Sequence, residues 1–135
     1  MASLTYDAYN HQAVAPGATY TTGATGTTVA GTVVPVAAGA GTGSSTAIPT
    51  GASPNDTRGT FNLVTAGTPA AGAVAVVNFT APYGQTPAVV ASAVDTSNSN
   101  AVVAIGTVAT QVGITFYTGA LTTAHTVAIT YQVEA

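Results

Sequence analysis

The chain has 135 residues, and only five of them carry a full charge at neutral pH: four acids and one arginine, with a formal net charge of −3. Because nucleic acids and anionic membranes attract proteins mainly through basic side chains, this balance excludes both as electrostatic partners. Charged residues make up 4% of the chain, against roughly 25% in an average soluble domain. Mixed charge keeps free proteins apart, so we expect a permanent assembly to cover much of this surface.

Other bulk features narrow the class of protein further. The chain contains no cysteine, which excludes disulfides and thiolate metal sites. No stretch reaches the roughly 20 apolar residues of a membrane-spanning helix. The first residues lack the basic segment of a signal peptide. We therefore expect no membrane partner and no Sec export.

Residues 1–54 differ in composition from the rest of the chain, and this difference predicts an extended N-terminal arm. Gly and Pro interrupt this region repeatedly and favour turns and open backbone. Short strands are predicted at residues 18–22 and 27–36. Pro35 cannot donate to a strand ladder, so the second of these should lie at an edge or end there. We expect residues 39–45 to be flexible or extended.

A turn-forming cluster before Asn55 separates the arm from a predicted β-sandwich domain over residues 55–135. Apolar runs recur there with turn residues between them, which is typical of an antiparallel sandwich of about six to eight strands. The last strand alternates most clearly, with Val127, Ile129 and Tyr131 on one face. β-Branched residues favour strands over helix, so we expect an all-β protein with little or no helix. The predicted strands are residues 60–65, 73–80, 88–94, 101–108, 111–117 and 125–133.

Groups that could carry catalysis are few. A hydrolytic triad needs a histidine base, and only His11 and His125 are available. His125 begins a predicted strand, where a partly exposed structural histidine is expected. The loop after Asp95 resembles the start of an EF-hand, but that pattern requires Gly and Glu where this chain has Asn100 and Gly106. We therefore predict no enzyme activity, no catalytic residue, no cofactor and no metal site.

Arg58 is the only basic residue that is always charged. Asp56 lies two residues before it and could form a local ion pair, which if exposed contributes about 0 to 1 kcal/mol. The alternative is an ion pair across a subunit boundary, with Asp95 or Glu134 of the partner subunit. In either case we expect Arg58 to be paired.

Several segments of the predicted sandwich are similar to a C-terminal module of tailed-phage head and tail accessory proteins. These segments are GTFNLVTAGTP at residues 59–69, VVNFTAPY at 76–83, TPAVV at 86–90, QVGITF at 111–116 and VAITYQV at 127–133. The resemblance covers residues 56–134. It implies a structural virion protein on the capsid exterior: a decoration, or cement, protein that binds the major capsid protein and stabilises the phage head.

The resemblance and the uncharged strand faces together give a candidate interface in an expected homotrimer. The arm would lie on capsid subunits or on a neighbouring copy, and the sandwich would close a threefold contact through Val127, Ile129 and Tyr131 or through the opposite face. Binding that spans assembled subunits stabilises the assembled state. The candidate interface residues are Val29, Val33, Val34, Arg58, Val127, Ile129 and Tyr131.

The order of features is also similar to that of H-type lectins, trimeric six-stranded sandwiches that bind sugars between subunits. The shared features are a strand that ends in Phe79, then Tyr83, a Pro-x-Val-Val segment, a loop after Asp95 and a last strand ending near an aromatic residue. Such lectins use tryptophan at the sugar, and this chain has none. The alternative function is a phage fibre-tip module that binds a host glycan or receptor. Its candidate contacts are Tyr83, Asp95, Asn98, Asn100 and Tyr117.

Overall fold

The computed structural model describes residues 5–7, 12–14 and 19–134 and shows a β-sandwich, with 47% strand and 3% helix. Two five-stranded sheets enclose one apolar core. The predicted fold class, an all-β antiparallel sandwich, is confirmed. The elements in chain order are β1 (Thr5–Asp7), β2 (Gln12–Val14), β3 (Thr21–Thr22), β4 (Thr32–Pro35), α1 (Ala37–Ala40), β5 (Ser45–Ala47), β6 (Arg58–Val64), β7 (Gly72–Asn78), β8 (Ala88–Asp95), β9 (Ala101–Val103), β10 (Ile105–Thr110), β11 (Gly113–Thr118) and β12 (Thr126–Glu134).

The two sheets differ in how their strands are joined. The first sheet has the order β10-β11-β7-β4-β3 and is antiparallel except for the parallel pair of β3 with β4. The second sheet has the order β5-β6-β12-β8-β9 and is antiparallel throughout. β1 and β2 form a separate antiparallel pair. The strand predicted over residues 101–108 is divided at Ala104, so that β9 belongs to the second sheet and β10 to the first.

The core lies between the sheets and is filled by alternate residues of facing strands. Val127, Ile129 and Tyr131 of β12 are at most 2% exposed, so the predicted alternation of this strand is confirmed. Phe61 of the second sheet meets Phe116 of the first edge to face, with ring centroids 5.6 Å apart. Such an aromatic pair contributes about 0.5–1.5 kcal/mol beyond the area that it buries.

Residues 19–54 do not form a separate arm, which corrects the expected domain division at residue 54. β4 lies between β7 and β3 in the first sheet, and β5 is an edge strand of the second. Tyr20 and Val33 are buried with the core residues of the later strands. This region joins the sandwich because its few large apolar side chains are needed to complete the core. Apart from β1 and β2, the part of the predicted arm before residue 19 lies outside the described residues, as does His11.

The glycine-rich segment predicted to be flexible or extended is a packed turn that begins in α1. A Cβ on Gly41 would lie 1.7 Å from the Ala66 carbonyl oxygen, and one on Gly39 would lie 2.4 Å from the Ala73 carbonyl oxygen. These glycines let the turn approach the neighbouring backbone more closely than any side chain would allow. In the described residues, α1 is the only helix, and its four residues are too few to cross a membrane. Pro35 ends β4, as predicted.

Candidate interaction surface

One broad surface of the sandwich consists of side chains on β6, β12 and β8 that point away from the core. Thr130 of β12 lies opposite Thr60 on one side and Ser92 on the other. Gln132 likewise lies between two neighbours on the adjacent strands. The hydroxyls of Thr60 and Thr130 are 2.9 Å apart and form a hydrogen bond. We call this surface the outer face and define it as Arg58, Thr60, Val90, Ser92, Thr130 and Gln132.

Apart from Arg58, the outer face is uncharged and partly apolar. Val90 is 66% exposed, and Val102 of the adjoining β9 is 87% exposed. A groove of about 520 Å³ lies on the outer face and is also lined by Ala52 and Ser53. Full burial of a valine side chain contributes about 1.5 kcal/mol or more. A protein partner that covered this surface would gain that contribution without having to strip water from many charges.

Arg58 stands at one end of the outer face and is exposed. The predicted local ion pair with Asp56 is not formed, because the Asp56 carboxylate is turned into the protein. Among the described residues the one close contact between an acidic and a basic side chain joins Asp95 to His125. Glu134 is also exposed and lies two residues beyond Gln132 on the same strand. An ion pair between Arg58 and an acid of a partner subunit stays a prediction.

Asp56 lies two residues before β6 and is the centre of a buried polar network. Its carboxylate accepts hydrogen bonds from the Tyr20 hydroxyl, the Thr80 N–H at 2.8 Å and the Thr80 hydroxyl at 2.5 Å. Its backbone carbonyl accepts one from the Tyr83 hydroxyl at 2.7 Å. A buried carboxylate is tolerated only when such donors replace water. The network therefore fixes three distant segments of the chain to one another.

Two tyrosines remain hydrogen-bond donors because they are buried close to the Asp56 carboxylate. Burial raises the pKa of Tyr20, and the hydrogen bond to the Asp56 carboxylate raises it further. Burial also raises the pKa of Tyr131, with the negative charge of Asp56 as a second cause. The Tyr131 hydroxyl donates to the Asn55 carbonyl at 2.7 Å. Both hydroxyls therefore keep their protons throughout the neutral range. No sequence pattern indicated this network, because its members are dispersed along the chain.

His125 and Asp95 form a second polar contact, at the opposite end of β12. His125 Nδ1 lies 2.6 Å from Asp95 Oδ2, and the side chains are 26% and 13% exposed. The other carboxylate oxygen accepts a hydrogen bond from the Ser97 N–H. The pair thus ties the end of β8 to the beginning of β12. Within residues 19–134 no group of three His, Asp or Glu side chains is placed to hold a metal ion.

Five of the seven candidate interface residues lie inside the sandwich, which corrects their assignment to an interface, while the threefold contact itself stays a prediction. Each of the five is at most 2% exposed, so none offers side-chain surface to a second chain. The chain buries this alternating face itself because it carries the larger apolar side chains. Arg58 and Val29, which is 61% exposed, remain on the surface. The buried five are Val33, Val34, Val127, Ile129 and Tyr131.

The candidate receptor contacts do not form one cluster. Tyr83 is 2% exposed and belongs to the Asp56 network, so it cannot stack on a sugar. Asp95 is engaged by His125, although it shares a depression of about 290 Å³ with Asn98. Asn98 and Asn100 are exposed in the loop between β8 and β9. Tyr117 is 40% exposed and lies on the first sheet.

Comparison of the chain with known protein families, with curated proteins and with solved structures found no match. A sandwich fold supports many unrelated functions, so the fold by itself assigns none. Function therefore has to be argued from the surfaces and contacts of the chain itself.

Proposed function

We propose that this chain is a structural virion protein, a decoration protein that binds the major capsid protein on the outside of a tailed-phage head. The observation that carries the proposal is the outer face, a broad β surface on which Val90 is exposed and whose only charges are Arg58 and, at the end of β12, Glu134. Free domains keep mixed charge on such surfaces. The centres of protein interfaces are instead depleted of charge.

The small side chains of the outer face suit a contact with a flat partner. Thr60, Ser92 and Thr130 leave no large protrusion, and their hydroxyls are able to bond backbone groups of a capsid subunit. Arg58 lies at the rim, where a charge mainly sets orientation and the rate of association. Copies that bind only the assembled lattice stabilise the head by mass action.

Locating the chain on intact particles tests the proposal. An antibody fragment raised against the purified chain is applied to virions from cells that produce it, and the label is located by electron microscopy. We expect the label on the outer surface of heads. Absence of the chain from purified virions contradicts the proposal. Label confined to fibre tips contradicts it too and favours the glycan-binding alternative.

A substitution at the centre of the outer face tests which surface makes the contact. Val90→Lys adds a charge to a side chain that is 66% exposed, so the fold is preserved. A partner that covered Val90 would have to bury this charge, which weakens binding. We expect at least a tenfold loss of binding to heads that lack the chain, measured by co-sedimentation. Val112→Lys is the matched control, because Val112 is 61% exposed in the turn between β10 and β11. Equal binding by the two variants would exclude the outer face.

A further inference from the structure

The outward side of β10 and β11 forms a second uncharged surface, on the sheet to which the outer face does not belong. In the ladder of these two strands Gly106 lies opposite Tyr117, and Val108 lies opposite Thr115. Tyr117 is 40% exposed and Val108 is 55% exposed. We call this surface the first-sheet face and define it as Gly106, Val108, Thr115 and Tyr117. We propose that it packs against the same surface of a second copy of this chain, across a twofold axis.

The alternation of β11 decides which side chains belong to the first-sheet face. Ile114 and Phe116 are fully buried in the core, so Thr115 and Tyr117 point to the opposite side of the strand. Residues that lie opposite each other in a ladder share one side of the sheet, which places their neighbours on β10 on the same surface. β10 also packs beside β8 of the second sheet. A second chain can therefore reach this part of the first sheet through its face.

The distribution of charge selects a second copy of the chain as the occupant. Within residues 19–134, Arg58, Asp95 and Glu134 lie on strands of the second sheet and Asp56 lies two residues before one, so the strands of the first sheet carry no full charge. A twofold axis brings identical groups together, so a charged surface would repel itself. Charges at the rim of a surface instead orient a different partner. The first-sheet face therefore suits contact between copies, and the outer face suits a different protein.

The first-sheet face also carries a large side chain directly beside an open space. A Cβ on Gly106 would meet no atom within 4 Å, so the space above Gly106 is empty although Tyr117 is its ladder neighbour. Two sheets that pack face to face lie about 10 Å apart, and their side chains interdigitate. A tyrosine side chain spans most of that gap, so it fits only where the facing position is small. The space above Gly106 meets this requirement.

A twofold axis parallel to the strands, midway between Tyr117 and Gly106, makes the two faces complementary. It places Tyr117 over the partner subunit's Gly106 and, by symmetry, the partner subunit's Tyr117 over Gly106. Two residues along the strands, Val108 then faces the partner subunit's Thr115. Both exposed apolar side chains of the first-sheet face are thereby covered, and tyrosine combines a large apolar area with a hydroxyl that can stay in water at the rim.

Sedimentation velocity of the full chain over a series of micromolar concentrations tests the contact. A contact over two strands is smaller than the roughly 1,200–2,000 Å² of stable interfaces, so we expect a reversible equilibrium between monomer and dimer at these concentrations. A trimer, or a monomer at every concentration, overturns the proposal.

Two substitutions test the fit of Tyr117 above Gly106. Gly106→Val fills the open space without displacing any atom of the free chain, and valine favours strands, so the monomer keeps its fold. Tyr117→Ser removes the side chain that enters the space. We expect each variant to weaken dimerisation at least tenfold while it keeps the circular dichroism spectrum of the parent chain. Dimerisation that survives both changes refutes a contact through the first-sheet face.

A matched pair of charge substitutions separates this contact from the one proposed for heads. Val108→Lys places a charge on the first-sheet face and should weaken dimerisation at least tenfold, because the two copies would have to bury it. Val90→Lys adds the same charge at a similarly exposed position on the outer face, and we expect it to dimerise like the parent chain. If Val90→Lys abolishes the dimer and Val108→Lys does not, the proposal is wrong, since the copies then meet through the outer face. Self-contact and head binding are therefore tested by different variants, and either can fail alone.

Discussion

β4 of the first sheet and β8 of the second consist of similar small and β-branched residues, but they are covered differently. Val33 and Val34 are consecutive in β4 and point to opposite faces, yet both are at most 2% exposed. In β8, by contrast, Val90 is 66% exposed while alternate residues pack against the core. The chain therefore covers β4 on both faces and β8 on only one.

The cover over β4 comes from the segment that precedes it. The Gly23 N–H donates to the Val33 carbonyl, so residue 23 lies beside β4, and a Cβ on Gly23 would lie 2.7 Å from Val34 Cγ1 and 3.4 Å from the Thr27 side chain. Tyr20 anchors this segment, because its N–H donates to the Pro54 carbonyl and its hydroxyl to Asp56. No described segment covers the outer face of the second sheet in this way. The chain thus uses one of its own segments to cover the outward side of β4 but leaves the outer face of the second sheet exposed.

The largest expected loss of stability comes from removing the Asp56 carboxylate, which holds Tyr20 and the segment that covers β4. Asp56→Ala leaves the Tyr20 hydroxyl and the Thr80 N–H without their acceptor, and each buried unsatisfied group costs about 1–3 kcal/mol. We expect the free energy of unfolding to fall by about 3–5 kcal/mol in urea titrations. Asp56→Asn keeps one oxygen acceptor and should lose less. An Asp56→Ala variant that loses under about 1 kcal/mol would show that the network does not hold the segment.

High pH should lower the free energy of unfolding through the two buried tyrosines, Tyr20 and Tyr131. Tyr20 and Tyr131 have raised pKa values in the folded chain, whereas an unfolded tyrosine titrates near about 10. Below that pH both states hold the proton, so the contribution to stability is complete. Above it only the unfolded state releases the proton, and stability falls with rising pH. The slope is about 1.4 kcal/mol per pH unit for each tyrosine.

Thermal unfolding between neutral pH and strongly alkaline pH measures this loss. Tyr20→Phe removes one of the two titrating groups, so its stability should decline with about half the slope of the parent chain. Absorbance of the phenolate reports ionisation directly, and these two tyrosines should ionise only on unfolding. Their ionisation in the native protein near the ordinary pKa would contradict the raised values.

The different burial of β4 and β8 can also be tested by the same valine-to-alanine substitution in each strand. Val34→Ala removes buried methyl groups and should cost about 1.5–3 kcal/mol, close to the transfer free energy of a buried valine. Val90→Ala removes the same groups from solvent and should change the stability by less than about 0.5 kcal/mol. Urea unfolding of both variants gives the difference. Equal losses would mean that β4 and β8 are not covered differently.

The sequence predicted the sandwich because alternation within single strands is a local signal. β12 alternates over its whole length, as predicted, but its apolar face, which was assigned to a subunit contact, lies in the core. Burial of β4 on both faces is not a local signal, since it depends on packing against the residues on either side of β3. Val33 and Val34 therefore looked like a surface available to a partner. The same holds for Tyr83, whose hydroxyl partner Asp56 lies 27 residues away and has no signature in the sequence.

The smallest expected effect lies on the outer face, and it decides whether that face is free for a partner. Thr130→Val keeps the β-branched shape but removes the exposed hydrogen bond to Thr60. Because water can replace this bond and valine favours strands, the stability should change by less than about 0.5 kcal/mol in urea unfolding. Thr46→Val is the contrasting variant, since the buried Thr46 hydroxyl donates to the Val33 carbonyl. We expect it to lose about 1 kcal/mol. A larger loss for Thr130→Val than for Thr46→Val would mean that the fold itself requires the outer face, leaving less reason to assign that face to a capsid.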